Sequence, residues 1–222
     1  MSKRLYAVIG LGRFGSAVAS TLVSLGQDVI GVDDNEGRVR EMGEIATNVL
    51  QIDATDIRAL RQAGINDADV AVISIGENIE ASLLVVMQVK DLGVPQIIAK
   101  AVTPLHGRIL EKLGVSRVIF PEREMAERTA RSLVIPNAFD YIALSTDHSL
   151  VEVTVPAPFV GQTIRGTDLR AKHGLTLVAV KRKVDGEEQT LISPPPDLVL
   201  LDGDIVALLG SNERLAKIET IR

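Results

Sequence analysis

The apolar run Leu5–Ile9 leads directly into Gly10-Leu11-Gly12-Arg13-Phe14-Gly15, and this junction restricts the fold more than any other part of the chain. A G-x-G-x-x-G turn is weak evidence alone. Here it follows a strand, opens a helix and heads a βαβ unit, which is the context in which such a turn binds a nucleotide. Gly10 permits the tight turn, Gly12 lets phosphates approach the backbone, and Gly15 allows the helix to pack closely on the strand. The helix amides and dipole then attract phosphate oxygens. The alternative is a glycine-rich strand-to-helix turn that holds nothing.

Up to about residue 120, short β-rich apolar runs alternate with helical periods, as in βαβ units around a parallel sheet. Strands are expected at Leu5–Ile9, Val29–Val32, Val49–Ile52, Val70–Ser74, Ile97–Lys100 and Val118–Phe120, enough for a Rossmann-type doubly wound sheet. Helices are expected over Asp56–Ala63 and Ile79–Leu92, with another starting at Pro104. A further helix spans Pro121–Val134 and ends at Ile135-Pro136-Asn137. Residues 1–135 thus form one domain with its trailing helix, and 136–148 read as a linker.

From residue 149 to 222 the texture is different. Strands at Leu150–Val155, Thr176–Arg182, Thr190–Ser193 and Ile205–Leu209 are broken by Pro156, Pro158, Val184-Asp185-Gly186-Glu187 and Pro194-Pro195-Pro196. Short helical stretches are expected near Asp168–His173 and Asn212–Ile221, giving a small α+β domain. Its size favours pairing with a second copy.

Asp33 ends the second strand where a carboxylate accepts hydrogen bonds from both ribose hydroxyls, which disfavours a 2′-phosphate. Asp34 points to the other face, and either acid could instead cap the helix near Glu36, after Asn35. Arg13 in the turn and Lys100 at the end of the fifth strand could converge on a phosphate tail, although Lys100 could equally be a surface lysine. Asp53-Ala54-Thr55 closes the third strand and could border the base, with Thr55 alternatively a helix cap. Ile75-Gly76-Glu77-Asn78 closes the fourth strand on the same crevice, or is simply a turn. Glu122 could bind a cation beside phosphates, or serve as a first-turn helix acid.

A net charge of −5 with scattered Lys and Arg gives no field for nucleic acid. The absence of Cys removes disulfides, thiolate metal sites and cysteine nucleophiles, in keeping with a reducing cytosol. His106, His148 and His173 are not at metal-ligand spacing. The N-terminus carries no signal-peptide core and no run reaches membrane-spanning length, so a soluble intracellular protein is expected.

Taken together, Ala7-Val-Ile-Gly-Leu-Gly-Arg-Phe-Gly15, Val32-Asp-Asp-Asn35, Asp53-Ala-Thr55, Ile75-Gly-Glu-Asn-Ile-Glu-Ala-Ser82, Lys100-Ala101 and Pro121-Glu-Arg-Glu-Met125 resemble the KtrA/TrkA family, the RCK (KTN) gating subunits of bacterial potassium uptake. Leu169-Arg-Ala-Lys-His-Gly174, Val178-Ala-Val-Lys181, Ser193-Pro194 and Leu201-Asp-Gly-Asp204 are similar to the family's C-terminal RCK domain. The resemblance implies a cytoplasmic homo-oligomer, dimers built on the helix after Glu122 and assembled into an octameric ring. That ring would dock at the inner face of the membrane on a KtrB/TrkH-like channel subunit.

It also implies ATP as the activating ligand and ADP as the inactive one. Gly10, Gly12, Arg13, Phe14, Gly15 and Lys100 would lie at the phosphates and Asp33 at the ribose. Asp34, Asn35, Asp53, Ala54, Thr55, Ile75, Gly76, Glu77 and Asn78 would form the surrounding crevice. Glu122 would hold Mg2+, Na+ or Ca2+ near the γ-phosphate. Cyclic di-AMP between two C-terminal domains would meet Arg170, Ala171 and His173, the last standing where an aromatic residue is expected. Two other readings compete: an NAD/NADH-sensing subunit of the TrkA type, and a small NAD-dependent oxidoreductase. The second lacks an evident proton donor such as a Tyr-x-x-x-Lys pair.

Overall fold

The computed structural model describes residues 3–46, 48–134, 138–184 and 186–218. The chain divides into two compact units, Met1–Pro121 and Glu122–Arg222.

The first unit alternates strand and helix: β1 (Leu5–Ile9), α1 (Arg13–Ser24), β2 (Asp28–Asp33), α2 (Glu36–Gly43), β3 (Asn48–Gln51), α3 (Ile57–Gln62), β4 (Val70–Ile73), α4 (Ile79–Asp91), β5 (Gln96–Lys100), α5 (Pro104–Lys112) and β6 (Arg117–Ile119). The six strands are parallel in the order β3-β2-β1-β4-β5-β6. Alternate side chains leave opposite faces of a strand, so each buried strand feeds two cores. Ala7, Ile9, Ala71, Ile73 and Ala99 pack with Leu60 of α3, Val85, Val86 and Val89 of α4 and Leu110 of α5. Val8, Val29 and Val72 face the other way, onto Ala19 of α1 and Met42 of α2. This is the expected doubly wound sheet. Strand order reverses between β1 and β4, and the crevice beyond their carboxyl ends is where such sheets take ligands.

The second unit takes in nearly all of α6 (Pro121–Val134), followed by β7 (Ala138–Ala143), β8 (His148–Thr154), β9 (Thr176–Val184), β10 (Glu187–Ile192), β11 (Ile205–Ser211) and α7 (Asn212–Leu215). Its antiparallel sheet runs β10-β9-β11-β8-β7. Val151, Val153, Val180, Val206 and Leu208 of the sheet pack on Phe159, Leu169, Leu215 and Ile218.

Three expectations change. The linker expected over 136–148 contains β7, which takes its strand conformation from pairing with β8, Tyr141 opposite Val151. The helix α6, assigned to the first domain, falls with the second unit. The helical stretch near Asp168–His173 is one π-helical turn, Leu169–His173, entered through Asp168 in the left-handed region at φ 48°. The proposed helix stop at Ile135-Pro136-Asn137, Asp185 of the expected turn, and the end of the stretch Asn212–Ile221 lie outside the described residues.

Candidate functional site

The loops leaving β1 to β5 all gather at the carboxyl edge of the parallel sheet, and the glycine turn lies among them. Gly10 has φ 91°, and its N–H donates to the Val32 carbonyl at 2.8 Å. A Cβ there would also press on the Ser74 carbonyl group at 3.1 Å. A Cβ on Gly15 would collide with the Gly10 carbonyl oxygen. Both glycines are therefore required by the fold itself. Gly12 is different: its backbone is extended, and an added Cβ meets nothing among the described residues within 4 Å. The open face at Gly12 fits the approach of a ligand.

Helix ends make the same distinction. A helix leaves its first N–H groups without partners, and these are satisfied by side-chain caps or by ligands. Asn35 caps α2, Asp56 caps α3, Asn78 caps α4 and Thr103 caps α5. No side chain caps α1, and its first turn contains no acid. The amides of Gly12, Arg13, Phe14 and Gly15 donate to no protein acceptor among the described residues. Unpartnered N–H groups at the positive end of a helix dipole are suited to an anion such as phosphate. Arg13 adds an exposed guanidinium at the first helical position. Phe14 instead packs against the core beneath α1, anchoring the helix.

Asp33 is buried, and its carboxylate is already engaged. The Leu11 N–H donates to Oδ2 at 2.6 Å and the Asn35 N–H to Oδ1 at 2.9 Å. The Arg38 guanidinium lies 3.5 Å from each oxygen. Asp34, the first residue beyond β2, is exposed, and its carbonyl accepts from Gln51 at 3.0 Å.

The Asp53 carboxylate accepts the Thr55 hydroxyl at 2.7 Å and the Thr55 N–H at 2.8 Å. These two bonds, the hydroxyl first, hold the Asp53 carboxyl below its ordinary range. The cap of α3 is thus Asp56, and the alternative role of Thr55 as a helix cap falls away. Ala54 and Ile75 pack partly on the core. Glu77 is exposed beside Asn78, whose side chain closes the first turn of α4. Lys100 is directed to this crevice: its Nζ stands 3.6 Å from the Cβ position of Gly76.

Glu122 is an exposed first-turn acid of α6, in the second unit. No group of three metal-ligating side chains occurs among the described residues. Arg170 and Ala171 are exposed on the π-helical turn, and the His173 ring meets Phe159 edge-on at 5.9 Å. Two contributors escaped the sequence reading. Arg38 bridges the Asp33 oxygens from the first turn of α2, and Gln88 donates to the Thr55 carbonyl at 2.6 Å, tying the 53–55 loop to α4. Neither belongs to a local motif; only folding brings them to the site.

Residues 6–121 match the TrkA-N domain and residues 149–221 the TrkA-C domain. The chain is 38% identical over 217 residues to the Ktr system potassium uptake protein C of Bacillus subtilis, covering 98% of this chain and 96% of that one. It is 33% identical over 219 residues to the Ktr system potassium uptake protein A of the same organism, covering 99% and 97%. Among solved structures, a GsuK channel bound to NAD shares the fold with a TM-score of 0.61 at 20% identity; the match takes in 100% of this chain and 39% of that one. With its TrkA-N and TrkA-C domains in tandem and these relatives along nearly its whole length, the chain belongs to the KtrA/TrkA family of potassium uptake proteins.

Proposed function

We propose that this chain is a cytosolic regulatory subunit of a potassium uptake system, and that it senses ATP against ADP at the glycine turn. It acts as a binding module and not as an enzyme. The uncapped start of α1, with Arg13 at its first position, is the observation that carries this reading. Lys100 beside Gly76 brings a second cation to the same sheet edge. A third phosphate presents charge that ADP lacks, which Arg13 and Lys100 meet with charge-assisted hydrogen bonds. Glu122, the first-turn acid of α6, supplies a carboxylate for Mg2+, Na+ or Ca2+.

A ligand shifts a conformational equilibrium only by binding one state better than another. Arg13 and Lys100 supply that difference between ATP and ADP. The subunits assemble as dimers in an octameric ring on a KtrB/TrkH-like membrane channel subunit, at the cytoplasmic face. Among the described residues no helix is long and apolar enough to cross a membrane, in keeping with attachment through a partner. Arg170, Ala171 and His173 form a second site, for cyclic di-AMP. Arg170 and Ala171 are exposed on the turn that bears them, which leaves them open to a ligand.

Calorimetric titration with ATP, ADP, NAD and NADH, with and without divalent cation, tests the ligand. ATP should bind most tightly, and Arg13→Ala should weaken ATP more than ADP. Preference for NADH overturns the ATP reading, and equal losses for ATP and ADP overturn the role of Arg13.

A further inference from the structure

A carboxylate offers two lone pairs on each oxygen, about four acceptor positions in all. On Asp33 one position per oxygen is occupied by the backbone, Leu11 N–H on Oδ2 and Asn35 N–H on Oδ1. The chain path fixes both bonds at 2.6 and 2.9 Å. Among the described residues the one other donor within reach of the two oxygens is Arg38 Nη1, 3.5 Å from both. These two contacts are long, and they come from a side chain that is 44% exposed. They are the removable half of the Asp33 environment.

A ribose diol read by an acid at the end of the second strand brings two O–H donors to the carboxylate. The backbone donors cannot leave without opening the glycine turn, so the diol must take the positions that Arg38 Nη1 bridges. We infer that Arg38 is a specificity-setting competitor of the ribose: its guanidinium compensates the buried Asp33 carboxylate, and a nucleotide binds by exchanging that single bridging donor for the two ribose hydroxyls. This rests on the nucleotide reading of the glycine turn and extends it to the sugar.

The exchange has a signature that a merely structural arginine lacks. A 2′-deoxynucleotide brings only one hydroxyl to Asp33, which leaves Arg38 able to keep one of its contacts. Arg38 therefore cushions the loss of the 2′-hydroxyl. Without Arg38, the full loss is felt.

The test is calorimetric titration of ATP and 2′-deoxy-ATP into the full chain as wild type, Arg38→Met and Arg38→Lys, with thermal unfolding of each. Partly exposed ion pairs are weak, so Arg38→Met should bind ATP about two- to fivefold more tightly than wild type and widen the preference for ATP over 2′-deoxy-ATP by a similar factor. Arg38→Lys, which restores a cation beside Asp33, should return both quantities toward wild type. Weaker or unchanged ATP binding in Arg38→Met at an unaltered unfolding temperature overturns the inference, as does an unmoved ATP to 2′-deoxy-ATP ratio. If the wild type binds no adenine nucleotide, the nucleotide reading itself fails, and this inference fails with it.

Discussion

The buried carboxylate of Asp33 holds the glycine turn shut, accepting the Leu11 N–H at 2.6 Å across 22 residues of sequence. The same group accepts the Asn35 N–H, so it joins the ends of β1 and β2 at the sheet edge. Asp33→Asn keeps the size but turns one acceptor into a donor, which must then face a backbone N–H. The expected cost is about 1–3 kcal/mol for a buried polar group left without a partner, together with weaker adenine-nucleotide binding. Chemical denaturation and calorimetry on the one variant check both. Unchanged stability would show that the Leu11 contact does not hold the turn.

In the second unit, Arg182 grips Asp204 with two bonds of 2.8 and 2.6 Å, and the Leu201 N–H adds a third at 2.8 Å. Burial pushes the Asp204 carboxyl up, but the Arg182 and Leu201 bonds outweigh it and leave the carboxyl below its ordinary value. The unfolded chain therefore binds the proton first as pH falls. The stabilisation is complete above the unfolded value near 3.8 and is lost as pH drops through the lower folded value. Arg182→Met strands a buried charge and should cost about 3–5 kcal/mol in the second unit. Unfolding followed across the acid range should show wild type losing stability most steeply below about pH 4, with a shallower slope in Arg182→Met. Parallel slopes would remove Arg182 as the cause.

His106 is buried in the first turns of α5, and among the described residues neither ring nitrogen has a hydrogen-bond partner. Burial holds its pKa below the ordinary value, so the folded chain takes up a proton on the ring less readily than the unfolded chain. Well above about pH 6.5 both states are neutral and the group has no effect on stability. Below that, the unfolded chain takes up a proton that the folded chain resists, and stability falls. His106→Leu should flatten the dependence of the unfolding free energy on pH between about 5 and 7. An unaltered slope would place the titration elsewhere.

The six parallel strands were legible because strands buried on both faces read as continuous apolar runs. Their order was not, since the position of β4 beside β1 depends on contacts distant in sequence. The strand β7 was missed because its six residues follow a helix break and acquire their conformation from β8. At the site, Gly10, Gly12 and Gly15 were legible as one motif, yet the sequence could not separate the two that the fold needs from the one it does not. Asp56 could not be told from Thr55 as the cap of α3, both being capping residues beside the same helix start. Arg38 was invisible, because its meeting with Asp33 follows from how α2 leaves β2.

Gly12 and Gly15 provide the sharpest separation of fold from function. On Gly15 a Cβ would meet the Gly10 carbonyl, a backbone atom that cannot move without opening the turn. Gly15→Ala should therefore destabilise the first unit, at the upper end of the 1–3 kcal/mol usual for overpacking, or about 3 kcal/mol. At Gly12 an added Cβ meets no atom of the described residues within 4 Å, and the extended backbone is one that ordinary residues adopt. Gly12→Ala should leave the unfolding temperature within about two degrees of wild type, because a surface change away from strained features shifts stability by at most about 0.5 kcal/mol. On the proposed phosphate reading the same methyl would stand in the path of the phosphate oxygens to the amides of α1, so ATP and ADP affinity should both fall by about tenfold or more, the cost of losing roughly one charge-assisted hydrogen bond. Unfolding and nucleotide titration of the two variants in parallel give opposite patterns if the turn is a phosphate site. Wild-type affinity in Gly12→Ala would mean that the phosphates do not lie on the α1 amides.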